Sequence, residues 1–366
     1  MLVLWDVDGN EIREELPPPT YKDLLQDQKA PPLHRLAGGR NCIIDATLEN
    51  GKHCIIKVLN ENSVLDQYDQ HNANVLRDML KRECALMRWV SSTTNIPIPG
   101  VLYYNGGPSF PYIIMEKCTG TVITNAFGAL PLEAKIANMR SFARIAVELF
   151  HLQAPEGIGS IAPYLPSAAW PPSLGPLVLP RVESPPQELH SITEYFSWLI
   201  EAKLRSLDIR DGDTETDHDE AKSTLKNLEV LISKTISNFD AALLKSVLCH
   251  EDLTPHNILI NNEGNVTGII DWEFHTVKPA VLAAGYPSWI ATIDPSTVDR
   301  ESQWTPFAFV SASESERLYQ VYDEIVKEMD GMYYRALKLG RICRSAESLL
   351  RQNVGWKPIK AWLETL

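Results

Sequence analysis

The sequence predicts an α+β chain of two lobes, a small β-rich one over residues 1–115 and a larger, mainly helical one over 116–366. Three observations carry this. Short β-branched and apolar runs separated by turn formers dominate the first part, as in Cys42-Ile43-Ile44 and His53-Cys54-Ile55-Ile56-Lys57-Val58. Apolar residues at helical spacing dominate the second, as in Ile136, Met139, Ala143, Ala146, Leu149 and Phe150. Between the helical stretches one polar segment, LCHEDLTPHNILINNEGNVTGIIDWEF from Leu248 to Phe274, reads as a loop followed by a hairpin.

Residues 1–35 form an N-terminal extension, and the lobe proper begins at Leu36-Ala37-Gly38-Gly39-Arg40-Asn41, a glycine-bearing turn. Gly38 and Gly39 would let backbone amides approach a phosphate without Cβ obstruction, and the strand after Glu49-Asn50-Gly51-Lys52 carries Lys57 among apolar neighbours. Alone, two glycines are an ordinary turn and a strand lysine an ordinary edge residue. Asn74 to Val90 is helical and contains Glu83, and an apolar strand over Phe110 to Met115 leaves through Glu116-Lys117-Cys118-Thr119-Gly120. A helix follows over Pro131 to Phe150. Pro155 to Pro186 holds nine of the 25 prolines, so it is neither continuous helix nor central strand, and an ordered, extended insertion packed on the C-terminal lobe is expected. Ser191 to Leu207 is helical. Asp211 to Glu220 carries six acids but lacks the central glycine and terminal glutamate of a calcium loop, so it reads as a solvated loop. One helix is expected over Ala221 to Leu244, and two over Glu314 to Arg351, hinged near Gly331 or Gly340.

The polar segment carries the chemistry. Asp252 and Asn257 share one tight loop, Ile258-Leu259-Ile260 leaves it as a strand, and Val266 to Ile270 brings the chain back to Asp271. Three oxygen-bearing side chains therefore converge. Hard cations such as Mg²⁺ take oxygen ligands and keep several waters, so an amide and a carboxylate together with ATP phosphates suffice to hold them. Asp252 is then left to orient an attacking hydroxyl and accept its proton. With that chemistry downstream, Gly38, Gly39 and Lys57 read as phosphate-facing groups.

The H-x-D-x-x-x-x-N pattern of His250, Asp252 and Asn257, followed by Ile270-Asp271-Trp272-Glu273, resembles the aminoglycoside phosphotransferase and choline kinase-like family, particularly its fungal branch. The resemblance implies a protein-kinase-like fold that uses ATP, or another nucleoside triphosphate, and Mg²⁺ to phosphorylate a hydroxyl of a small molecule. It makes Asp252 the catalytic base and Asn257 and Asp271 the metal ligands. It also pairs Glu83 with Lys57 over the phosphates, has His250 brace the loop, and places the hinge where backbone groups of Glu116 and Cys118 meet an adenine edge. Trp272 and Glu273 stand where a protein kinase has Phe-Gly, and no Ala-Pro-Glu segment follows, which argues against a protein kinase. Intact Lys57, Asp252, Asn257 and Asp271 argue against a catalytically silent binding protein. Two departures stand out. Glu251 replaces the glycine or arginine of related sequences; an outward-facing glutamate is the plainest reading, beside one that raises the pKa of Asp252 or binds a cationic substrate. Lys278 to Pro287 lacks the Asp-Leu-Ala of many antibiotic and choline phosphotransferases, so aminoglycoside resistance is not expected.

Composition bounds the partners. A formal net charge of −13 disfavours nucleic acid, and no apolar run approaches the roughly 18 residues of a membrane span. Met1 to Asp6 meets an acid too early for a signal peptide, so a cytoplasmic protein with no membrane or obligate protein partner is expected. Six cysteines without a CxxC pair indicate neither zinc nor disulfides.

Overall fold

Strand alternation builds the N-terminal part. The computed structural model describes residues 2–5, 11–14, 35–37, 41–47, 52–59, 73–106, 111–162, 172–180, 182, 184–185, 187–207, 215–292, 309–352 and 355–366. A hairpin of β1 (Leu2–Trp5) and β2 (Glu11–Glu14) lies in the N-terminal extension. Then β3 (Arg35–Ala37), β4 (Asn41–Thr47) and β5 (His53–Leu59) run antiparallel, in a register that places Lys57 opposite Ile43. Side chains alternate along β5, so Lys57 shares a face with Ile55 and Leu59.

The next element meets that face. Helix α1 (Ala73–Thr93) buries Leu76, Met79, Leu80, Leu86, Met87 and Val90, a stripe at three- and four-residue spacing. Glu83 falls on this stripe and is 1% exposed. Strands β6 (Val101–Asn105) and β7 (Tyr112–Glu116) complete a five-stranded antiparallel sheet in the order β3-β4-β5-β7-β6. After Glu116 the chain changes sheets, and β8 (Thr121–Val122) pairs with a strand some 140 residues later. Gly120 makes this possible at φ +106, where a Cβ would stand 2.7 Å from Ile260 O.

The C-terminal part is helical around a small β framework. Helix α2 (Leu132–His151) packs its Phe142 edge-on to Trp289 at 4.9 Å and its Phe150 against Tyr333 at 5.3 Å. The proline-rich insertion forms a short hairpin of β9 (Ser160–Ile161) and β10 (Leu174–Gly175). Helices α3 (Ile192–Leu207) and α4 (Glu215–Ile236) follow. Strand β11 (Ser246–His250) leads into the polar loop, β12 (Ile258–Ile260) and β13 (Val266–Ile269) form the expected hairpin, and β14 (His275–Pro279) returns beside β11 with His275 opposite His250. Helices α5 (Ala312–Met329), α6 (Gly331–Leu339), α7 (Arg341–Arg351) and α8 (Lys357–Leu363) close the chain.

Three expectations are corrected. The acidic run is not all loop, because α4 begins at Glu215. The helix expected over Ala221 to Leu244 stops at Ile236, where Ser237 and Asn238 bond back to Lys234 O and Asp240 caps a new turn through Leu243 N at 3.1 Å. The stretch Glu314 to Arg351 holds three helices, since both candidate hinges act. Asp330 caps α6 by accepting from Tyr333 N at 2.6 Å, and at Gly340 a Cβ would collide with Val281 O.

The insertion touches both parts. Gly159 exchanges backbone hydrogen bonds with Val277 at 3.1 and 2.7 Å, Ser160 Oγ donates to His275 O at 3.0 Å, and Ile161 N donates to His275 Nε2 at 3.2 Å. Beyond the expected packing, Arg82 of α1 donates to Pro176 O at 2.8 Å, so the insertion also holds the helix that carries Glu83. Burial pulls the His275 ring from 6.5 down to about 4, because its charged form would lose hydration. The unfolded chain therefore takes this proton at a higher pH than the native one. Stability from this residue is complete above pH 6.5 and is lost as pH falls toward 4, with a slope of at most ~1.4 kcal/mol per pH unit. The expected result is a urea midpoint that declines below pH 6.5 while nitrogen NMR shows His275 still neutral at about pH 5.5, between the two pKa values. A charged ring at that pH contradicts it.

Candidate active site

One buried ammonium organises the site. Lys57 Nζ lies 3.0 and 2.9 Å from the two Glu83 oxygens, 2.6 Å from Asp271 Oδ1 and 3.1 Å from Glu273 Oε2, with its side chain 4% exposed. Three carboxylates thus share one cation. Burial alone would lower the lysine pKa, but Asp271, Glu273 and Glu83 more than reverse this and raise it well above the usual value. The same excess of negative charge acts on the acids. Burial first, then Asp271 and Glu273, push the Glu83 carboxyl up to about 7 against the pull of Lys57.

The structure brings His250, Asp252 and Asn257 into one hydrogen-bonded loop. Asp252 N donates to His250 Nδ1 at 3.1 Å, so the other ring nitrogen carries the proton and donates to Ile270 O at 3.0 Å. The His250 ring also packs, tilted by 56°, against fully buried Trp272, centroids 4.6 Å apart, and burial holds its pKa below the ordinary value. Asn257 Nδ2 donates to Asp252 O at 2.8 Å and to Asp252 Oδ2 at 3.0 Å. Its own backbone closes the loop, accepting from Ile270 N at 2.9 Å. Asp271 stands at the end of this return with φ 64, the one described non-glycine residue at positive φ. Such strain persists where surrounding contacts over-determine the backbone, here the Lys57 ion pair.

The remaining expected residues fall less simply. Gly38 and Gly39 lie outside the described residues. The Glu116 N–H is taken by Gly100 O at 2.9 Å, and its carboxylate pairs with Lys52. Cys118 packs against Gly268, where a Cβ would stand 2.7 Å from Cys118 Cβ. Glu251 is a correction. Its side chain does not face outward but is 2% exposed, between Lys278 and Arg351. Two residues of the lysine cluster were not anticipated from the sequence, Glu273 and Asn41, whose Nδ2 donates to Glu273 Oε2 at 2.7 Å. The signal for Glu273 was its two-residue spacing from Asp271; nothing in the sequence singled out Asn41.

The donor set suits a hard cation. Neither described hydrogen bond of the Asn257 amide uses its oxygen, and Asp271 adds a carboxylate. Among the described residues no group of three His, Cys, Asp or Glu side chains forms a self-sufficient cage. An amide oxygen and a carboxylate are donors of the kind that Mg²⁺ takes from a protein when phosphates and water complete its shell. None of the described helices is long and apolar enough to cross a membrane.

Known proteins resemble this chain in sequence and in fold. Residues 70–282 match the model of the phosphotransferase enzyme family. Clavilactone A biosynthesis cluster protein Y of Ampulloclitocybe clavipes is 31% identical over 345 residues, which span 90% of this chain and 81% of that protein. Among solved structures, a thermostable mutant of aminoglycoside phosphotransferase APH(4)-Ia in ternary complex with ADP and hygromycin B gives a TM-score of 0.51 at 16% identity, covering 92% of each chain. A thermostable mutant of the same enzyme in its apo form gives 0.51 at 14% identity, covering 92% of this chain and 95% of that one. At this identity the likeness is one of fold.

Proposed function

Because this chain belongs to the phosphotransferase enzyme family, we propose that it moves the γ-phosphoryl group of ATP to a hydroxyl of a small molecule. The observation that carries the reading is the loop and hairpin from His250 to Asp271, which ties the Asp252–Asn257 pair to the Lys57 ion pairs of the other sheet. Lys57, held by Glu83, faces the phosphates. Asn257 and Asp271 would hold Mg²⁺, which would supply charge neutralisation on the phosphates. Asp252 orients the acceptor hydroxyl and takes its proton as the new O–P bond forms and the bond to the ADP oxygen breaks. His250 fixes the peptide that carries Asp252. At the hinge the Glu116 N–H is spent on Gly100, so Cys118 N is the donor for an adenine edge. One similar solved structure is an aminoglycoside phosphotransferase in complex with ADP and hygromycin B, and the fungal relative is named for a biosynthesis cluster, which supports a small-molecule acceptor.

The test is acceptor-stimulated ADP formation with MgATP over amino alcohols, sugars, aminoglycosides and then metabolite extracts. MgATP at 100 times its dissociation constant should add about 2.7 kcal/mol of stability. The gain should shrink when Mg²⁺ is chelated. A clear melting shift with no turnover on any acceptor would turn the reading toward a binding protein.

Within this scheme Lys57→Ala should weaken both nucleotide affinity and turnover. Glu83→Ala should act in the same direction but less, since Asp271 and Glu273 still hold the ammonium at 2.6 and 3.1 Å. A neutral Glu83→Ala would remove Glu83 from the orientation of Lys57.

A further inference from the structure

Glu251 is the residue just before the proposed base, and it is tied to a buried charge cluster that the reaction scheme does not use. Its carboxylate meets Lys278 Nζ at 2.9 Å, pairs with Arg351 and accepts from Thr276 Oγ1. Lys278 also reaches Glu347 at 3.0 Å, and Glu347 takes the Tyr195 hydroxyl at 2.6 Å and Arg351 Nη1 at 3.3 Å. Two carboxylates and two cations are thereby closed on one another, drawn from the catalytic loop, β14 and α7, with the Tyr195 hydroxyl of α3 joined to them. Burial alone would raise the Glu251 pKa, yet Lys278 and Arg351 hold it well below the ordinary carboxylate range, so the acid is ionised.

Stability does not explain such a cluster. Desolvating four charges is expensive, and well-packed apolar side chains in their place are often as stable or more so. What ion pairs provide and apolar packing does not is direction. The Glu251 N–H donates to Phe274 O at 3.0 Å and the Asp252 N–H to His250 Nδ1 at 3.1 Å, so the backbone is fixed on both sides of the bond joining the two acids. The Glu251 side chain adds a third anchor, to a helix 100 residues away in sequence. The Asp252 carboxylate, held by Asn257, is left with little freedom.

We propose that Glu251 is a positioning residue for Asp252, and that its cluster with Lys278, Glu347 and Arg351 ties the orientation of the base to helix α7. The inference rests on the reading of Asp252 as the base. Glu251→Gln, Lys278→Met and the double variant separate positioning from stability. Each single change leaves an unbalanced buried charge and should lower the melting temperature. The double variant leaves Glu347 with Arg351, restores charge balance and should melt near wild type. Its kcat should nonetheless stay at least about tenfold down, an effect of ~1.4 kcal/mol, with KM for ATP within about twofold. Recovery of kcat together with stability in the double variant overturns the proposal. So does a KM for ATP that moves in step with kcat.

A second measurement needs no acceptor. Amide hydrogen exchange over 250–257 should quicken at least tenfold in the double variant while α2 and α5 keep wild-type rates, a local opening rather than a global one. Unchanged exchange in that loop overturns the proposal even if no turnover is ever detected. A wild-type protein that binds MgATP and phosphorylates nothing removes the functional reading instead, and selective exchange would still support Glu251 as the anchor of the loop.

Discussion

Asp252→Asn is expected to lower turnover by about 10²–10⁴, the usual contribution of a positioned general base, while leaving the fold and MgATP affinity intact. The described hydrogen bonds of the loop are preserved in the variant. Two of the loop's hydrogen bonds use the Asp252 backbone, its N–H to His250 Nδ1 and its carbonyl from Asn257 Nδ2, and neither depends on the carboxylate. The side-chain bond from Asn257 Nδ2 survives too, since an amide oxygen accepts where Oδ2 did. What is lost is a group basic enough to take the acceptor proton. A loose phosphoryl-transfer transition state asks for the base only late, so the lower end of the range is expected. The comparison must be made on the acceptor that the wild type uses, with MgATP binding measured alongside. Wild-type rates in Asp252→Asn would remove Asp252 from the mechanism, and loss of MgATP binding would move it among the metal-holding groups.

The features that the sequence shows well are those set by local spacing. Glu83 belongs to a three- and four-residue apolar stripe, so its burial follows from helix geometry once the stripe is recognised. Asp252, Asn257 and Asp271 are joined by a hairpin whose turn residues and β-branched strands are adjacent in the chain, which is why their convergence is readable. Glu251 is the contrary case. Nothing within ten residues separates an outward-facing acid from a buried one, and what decides it is Lys278 on β14 and Arg351 at the end of α7. Asn41 on β4 and Glu273 in the turn before β14, far apart in the chain, escape notice for the same reason. The helix breaks at Ser237–Asp240 and Asp330 were marked by capping residues that also read as ordinary polar helix positions; the caps became distinct only with their partners Leu243 and Tyr333.

Asp271→Asn should separate stability from function most sharply. Asp271, Glu83 and Glu273 crowd a single ammonium, and burial first, then repulsion from Asp271 and Glu273, push the Glu83 carboxyl up to about 7. Neutralising Asp271 removes one of the three charges, and asparagine, whose short polar side chain can hydrogen-bond locally, tolerates the left-handed backbone at φ 64, where alanine would be strained by roughly 1–2 kcal/mol. The variant is therefore expected to melt at or above the wild-type temperature. Its chemistry should fail, because a carboxylate is replaced by a weaker ligand just where the metal is held. If that ligand is worth about 4 kcal/mol of transition-state stabilisation, turnover falls by about 10³. Binding should show the cause directly, with Mg²⁺ adding no stability beyond that of metal-free ATP. A protein that gains thermal stability while losing metal-dependent turnover is what a site strained for function predicts. Undiminished Mg²⁺-dependent turnover would take Asp271 out of the metal-holding set, and a fall in melting temperature would make the Lys57–Asp271 pair a structural brace instead.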